Sequence, residues 1–203
     1  MCSSDLEKDD PHSPWKYGTG SWAITKGFLW SHVGWLVAQE PIDANRWAPD
    51  MLKRPLTARL SSAFGWLALT TFLLPAVLGG LLTWSWQGAL TAFFWAGLVR
   101  IALVHHVTWS INSVCHIWGK QPFVSRDESR NVAWLALPSL GESWHNFHHA
   151  EPTSARHGVL PHQVDASAAV IRFAEKRGWV HNVKWPKPER IQAKLVQPVT
   201  MER

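Results

Sequence analysis

The chain is poor in several things, and each shortage excludes something. Only two of its 203 residues are cysteines, Cys2 and Cys115. That is too few for a disulfide framework or a ferredoxin-like cluster, and no haem-attachment motif occurs; the usage fits a reducing cytoplasm. The first residues do not read as a secretory signal peptide, and there is no internal repeat or low-complexity tract. His-Glu-x-x-His is absent, which removes the usual signature of a zinc hydrolase. The net charge of +5 comes without a groove-reading motif or a basic stripe, so nucleic acid is not an expected partner. The same charge suits an anionic lipid leaflet.

The longest shortage is of charge itself. No charged residue occurs from Leu60 to Val99, a run of 40 residues. A single bilayer crossing needs about 20. Gly79-Gly80 and Trp84-Ser-Trp86-Gln87-Gly88 interrupt the run. These residues predict two spans, about 61–82 and 87–105, joined by a short turn. Lys53, Arg54 and Arg59 precede the run and Arg100 follows it, whereas the turn carries no charge. The positive-inside rule then places both outer ends in the cytoplasm. The alternative, a buried hairpin of a soluble protein, needs a large surrounding core that the polar remainder does not supply. Fifteen tryptophans suit a protein that meets the membrane interface.

Histidine is where the chain is rich. Seven of its eleven histidines fall between His105 and His157. Within Glu142-Ser-Trp-His-Asn-Phe-His-His149 the pattern is His-x-x-His-His. On a helix, His145, His148 and His149 can share one face. Convergent imidazoles suit iron, zinc or copper. Upstream, Asn112 and His116 are four apart, again on one helical face. That pair alone has the plainer reading of a hydrogen-bonded core residue and its neighbour. Its position, between the apolar run and the histidine cluster, favours a metal site.

The rest of the chain gives weaker signals. Residues 22–37, with Trp22, Phe28, Trp30 and Trp35, read equally as an interfacial helix and as an amphipathic core helix. Residues 40–58 and 120–128 read as polar loops. A last helix is expected near 163–177, with Gly178 as its stop. Residues 184–203 read as an extended tail.

Five segments together resemble the membrane fatty-acid desaturases of the acyl-CoA Δ9 type, bacterial branch. They are Asp10-Pro-His-Ser-Pro14, Gly27-Phe-Leu-Trp-Ser-His-Val-Gly-Trp-Leu36, His106-Val-Thr-Trp-Ser-Ile-Asn-Ser-Val-Cys-His116, Gly141-Glu-Ser-Trp-His-Asn-Phe-His-His149 and Ser154-Ala-Arg-His-Gly158. The resemblance covers about residues 5–183. It implies an all-α, multi-pass membrane protein whose histidine-rich helical cap is cytosolic. It implies a di-iron centre of two iron ions that uses O₂ to place a double bond in a fatty acyl chain. By motif, His145, His148, His149 and His116 are expected as iron ligands, with Asn112 acting through a water. Thr108 and Trp109 are expected to line the acyl tunnel. Hydrogen-bonding roles are expected for Glu142, His105 and His106, and Glu142 and Asp127 are candidates to orient ligand histidines.

The implied partners are membrane lipid, a fatty acyl thioester resembling stearoyl- or palmitoyl-CoA, and a separate electron-donor protein. Two further histidine boxes of the family lie upstream of the Asp-Pro-His motif, where this chain has only Met1 to Asp9. Animal members carry a basic pair where Ala38-Gln39-Glu40 stand here. The expectation is therefore a C-terminal portion, residues 1–183 of it desaturase-like, that holds part of an iron site and does not turn over alone. A related membrane di-iron lipid hydroxylase and a non-enzymatic membrane remnant are the alternatives.

Overall fold

The computed structural model describes residues 13–38 and 43–196. Asp10, Pro11 and His12, Gln39 and Glu40, and the last seven residues lie outside that description. Among the described residues every regular element is helical, and pairing of extended backbone is confined to three isolated bridges. In chain order the helices are α1 (Ser21–Leu29), α2 (Trp35–Ala38), α3 (Ala44–Trp47), α4 (Pro49–Leu52), α5 (Pro55–Ser62), α6 (Phe64–Thr83), α7 (Trp86–Ala92), α8 (Arg100–Ser113), α9 (His145–Ala150), α10 (Ala166–Lys176) and α11 (Pro188–Lys194). A π-helical turn, Trp30–Gly34, joins α1 to α2, and a second, Phe93–Val99, joins α7 to α8. The chain forms two compact units, residues 38–105 and the described residues on either side of that stretch.

The 38–105 unit is built on the apolar hairpin. Two helices are long and apolar enough to cross a membrane, Phe64–Thr83 and Trp86–His116. Their most apolar windows are 0% and 6% buried among the described residues. Trp84 takes a left-handed conformation at the turn, and the Ser85 side chain caps α7 by accepting from the Gly88 amide at 3.0 Å. Small residues let α6 and α7 approach closely. A Cβ on Gly79 would lie 2.4 Å from the Ala92 Cβ and 2.6 Å from the Gly88 carbonyl oxygen. Contacts of this small-residue kind let helix backbones approach closely. The second helix continues past the expected 105 as far as His116, which carries Asn112 and His116 on its terminal turns. Before the hairpin, the expected loop 40–58 contains three short helices, two of them opened by Pro49 and Pro55 at their first positions.

The other unit packs α1, the end of α8, α9, α10 and α11 around a small core. Ile111, Val114, Cys115, Val132 and Leu135 form one cluster, with Phe28 of α1 packed against it. Phe123, Phe147 and Ala150 form another. The N-terminal segment is seated by Gly27, where a Cβ would lie 1.6 Å from the Pro14 carbonyl oxygen, so no larger residue fits. Beside it, the Trp15 indole donates to the His116 carbonyl at 3.0 Å. Helix α10 starts at Asp165, whose side chain accepts from the Ala168 amide, and stops before Gly178, close to the expected limits.

The C-terminal segment differs from expectation. Residues 184–196 are not a loose tail: α11 forms, and Ile191 and Leu195 cover the Phe123–Phe147 cluster. Lys194 donates through Nζ to the Ala150 carbonyl at 2.6 Å, and Val124 and Val196 complete a bridge between 122–124 and 194–196. Three prolines pointed to extended chain, but Pro188 sits at the first helical turn, where proline costs nothing.

Candidate metal centre

The centre begins with a short helix that its neighbours hold in place. Helix α9 is six residues long, too short to be stable alone. Asn146, fully buried, fixes it. Its side-chain oxygen accepts from the Phe123 amide at 2.7 Å, and its amide nitrogen donates to the Phe123 carbonyl at 3.1 Å. The Asn146 backbone amide donates to the Asn131 side chain at 2.9 Å. Phe147 packs edge-on to Phe123 with centroids 4.8 Å apart. The Trp144 indole donates to the Val164 carbonyl at 2.7 Å and ties the entry of α9 to the segment before α10.

With α9 fixed, three imidazoles converge. The ligand nitrogens of His116, His145 and His149 all lie within 4.8 Å of one another. His145 Nε2 is 3.2 Å from His116 Nε2 and 2.9 Å from His149 Nε2. Two nitrogens each about 2.0–2.1 Å from one metal ion, at angles of about 90–110°, lie about 2.8–3.4 Å apart. Both observed separations fall in that range. Three imidazole nitrogens this close together form a donor set of the kind a transition-metal ion takes.

The protonation state favours ligation. His149 donates through Nδ1 to the Asp127 carboxylate, which fixes the tautomer and leaves a lone pair on Nε2, facing His145. Burial alone would raise the Asp127 pKa. The hydrogen bonds from His149 and Ser129 outweigh it and bring the carboxyl down to about 2. The loop presents that carboxylate through its own bonds: Gln121 and Ser125 donate to the Asp127 carbonyl, and the Ser129 amide to Oδ1. Burial, then the neighbouring His116 and His149, holds His145 well below its ordinary 6.5. His148 is lowered to about 4, by burial first and by His157 and His149 next. Both are neutral at pH 7, as a metal-binding imidazole must be.

The other sequence-predicted residues spread around this trio. His148 turns to the flank of α9: its ring lies 5.6 Å from His145 but 4.7 Å from His157, and its Nδ1 is buried without a hydrogen-bond partner among the described residues. Adjacent positions on a helix point about 100° apart, so His148 and His149 cannot both face His116. Asn112 is half-buried one turn before His116. Thr108 is exposed, and Trp109, half-buried, stands against the rings of His32 and His106. Glu142 is exposed and lies 3.9 Å from His157 Nδ1 rather than beside a ligand of the trio. Of the two carboxylates considered for orienting the histidines, only Asp127 meets one of His116, His145 and His149. His32, Asn146 and His157 carry interactions that sequence reasoning did not assign. Asn146, at the centre of His-Asn-Phe-His-His, was the one most open to notice.

No family model matches the chain. It is 37% identical over 193 residues to the hex-5-enoyl-[acyl-carrier protein] acetylenase of Moorena producens (strain JHB), covering 94% of this chain and 60% of that protein. It is 36% identical over 181 residues to Delta-9 acyl-lipid desaturase 1 of Arabidopsis thaliana, covering 87% and 53%. It is 36% identical over 161 residues to the sn-1 stearoyl-lipid 9-desaturase of Anabaena variabilis, covering 78% and 56%. These relatives are named as fatty acyl desaturases and an acetylenase, and the similarity extends over most of this chain. The chain belongs to the fatty-acid desaturase family. It spans about half the length of the curated relatives it matches.

Proposed function

We propose that this chain supplies one part of the di-iron centre of an O₂-dependent fatty acyl desaturase of the Δ9 type, serving unsaturated fatty acid biosynthesis. The observation that carries the reading is the convergence of His116, His145 and His149, with Asp127 locking the His149 tautomer. In this reading those three hold one iron. His148, on the flank of α9, serves the second, with Asn112 acting through a water. When bound, the iron pair supplies the oxidising power that removing hydrogen from an unactivated chain requires and that side chains lack.

The chain's own residues contribute position and dryness. Burial keeps His145 neutral and ready to coordinate. Asp127 sets the direction of the His149 lone pair, and Asn146 sets the direction of α9. Thr108 and Trp109 line the acyl tunnel, so that one pair of methylenes is held against the centre. Two iron ions need more ligands than these residues supply. Electrons come from a separate protein, and the apolar hairpin holds the assembly in the membrane with the histidines on the cytoplasmic side.

The substrate is a stearoyl- or palmitoyl-length acyl group. The relatives' names divide between lipid-linked and carrier-linked acyl groups, and Ala38-Gln39-Glu40 offers no basic pair for CoA. The test joins the chain to the region of the Anabaena relative that it does not span. Acyl-CoA, acyl-carrier protein and acyl-lipid substrates are supplied with an electron donor. The products are read by mass spectrometry. An alkene that disappears in His145→Ala supports the proposal. An alcohol would make the protein a hydroxylase, and product that persists in His145→Ala would remove the trio from the chemistry.

A further inference from the structure

A second group of imidazoles lies apart from the metal ligands. The buried Ser113 hydroxyl donates to the Trp109 carbonyl at 3.0 Å. With its proton committed there, its oxygen accepts from His32 Nδ1 at 2.9 Å. Neutral His32 then carries its lone pair on Nε2, which accepts from His106 Nδ1 at 3.0 Å. One consistent set of tautomers thus links the Trp109 carbonyl, Ser113, His32 and His106. It runs from α8 to the π-helical turn after α1 and back to α8. Such turns inside helices are frequent at functional sites.

The two imidazoles enclose one indole. They stack on each other with centroids 5.2 Å apart and planes at 25°. Each stands nearly perpendicular to Trp109, His32 at 5.9 Å and 83°, His106 at 5.2 Å and 77°. Phe28 stacks on His32 at 5.6 Å and 8°. Joining two helices needs only apolar contact. A directional polar chain does more, because it specifies one ring geometry, and therefore one position for Trp109.

We infer that His32 and His106 are positioning residues that clamp the Trp109 indole and thereby set where along the acyl chain the double bond is placed. This rests on the desaturase reading and on Trp109 as a tunnel wall. A displacement on the order of 1 Å in a wall residue is enough to present a different bond to a reacting centre.

Two measurements test the clamp. In the first, the 203-residue chain is labelled with 5-fluorotryptophan in lipid nanodiscs, and Trp109→Phe assigns the Trp109 signal. His32→Leu, His106→Leu and Ser113→Ala move or broaden that signal, while His106→Asn, which keeps an N–H donor, moves it less. In the second, the same variants are made in the chain joined to the region of its relative that it does not span, and double-bond positions are read by mass spectrometry. The share of neighbouring positional isomers rises about 2- to 10-fold in His106→Leu, the range that one neutral hydrogen bond can set, and less in His106→Asn. Iron content stays unchanged. A Trp109 signal that does not move in any of the three disruptive variants would overturn the clamp. A moved signal with unchanged bond positions would overturn its role in specificity. If the joined wild-type protein makes no alkene, the desaturase reading fails, while the fluorine signal still decides whether the clamp exists.

Discussion

The Asp127 carboxylate accepts a hydrogen bond from Nδ1 of His149, and the opposite nitrogen of the same ring lies 2.9 Å from His145 Nε2. One residue in a polar loop therefore decides which face of an imidazole is available to a metal. Removing such a partner typically costs about 10- to 100-fold in metal affinity. Asp127→Asn is expected to weaken Co²⁺ binding to the chain by that factor, read from the metal's visible absorption in a competitive titration. Unchanged affinity would mean that His149 is oriented by something else.

Asn146 is expected to matter for stability before it matters for metal. Asn146→Ala leaves the buried amide and carbonyl of Phe123 without partners, at a cost of roughly 2–4 kcal/mol. Chemical denaturation in detergent measures the loss. A change near zero would show that the backbone of 123 finds other partners.

The metal-free protein is expected to lose stability in acid, with a definite sign. His148 is lowered from 6.5 to about 4 in the native state. Between those values the unfolded chain binds more protons than the folded one, so stability is full above about pH 6.5 and falls as the pH drops. Asp127, lowered from 3.8 to about 2, adds a further loss below about pH 4. Melting temperature should therefore be flat from pH 7 to 8 and decline from 6.5 to 4, with a shallower decline in His148→Gln. A melting temperature that rises over the acid range would contradict the assignment.

The hairpin makes its own prediction. Trp84 is 89% exposed at the turn between the two apolar helices. In intact cells, a cysteine at position 84 should react with impermeant reagents from the side opposite to a cysteine placed at Trp134 in the cap. Labelling of both from one side would refute the crossing.

Much of this was legible in the sequence, for physical reasons that differ from part to part. The charge-free run from Leu60 to Val99 was legible as two long apolar helices joined by a turn, because Gly79-Gly80 and the Trp84–Gly88 stretch divide it. The His145–His149 pairing followed from helical spacing. The place of His148 did not, although the 100° step between neighbours was already implicit in the pattern. Asp127 was one of two carboxylates in view, and only the fold of the 120–131 loop separates it from Glu142. The docking of α11 was hidden because Ile191 and Leu195 meet the Phe123–Phe147 cluster only in the folded chain. His32 was hidden because its partners, His106 and Ser113, lie more than 70 residues away in the chain.

The most direct test of the account counts imidazoles on the metal. The purified chain is loaded anaerobically with ferrous iron, and X-ray absorption at the iron edge gives the number of coordinated histidines for the wild type and for His116→Ala, His145→Ala and His149→Ala. The account predicts three imidazole ligands on one tightly held iron, reduced to two in each variant as the iron becomes labile. Iron bound with the same ligand count in all four proteins, or no specific iron at all, would contradict it.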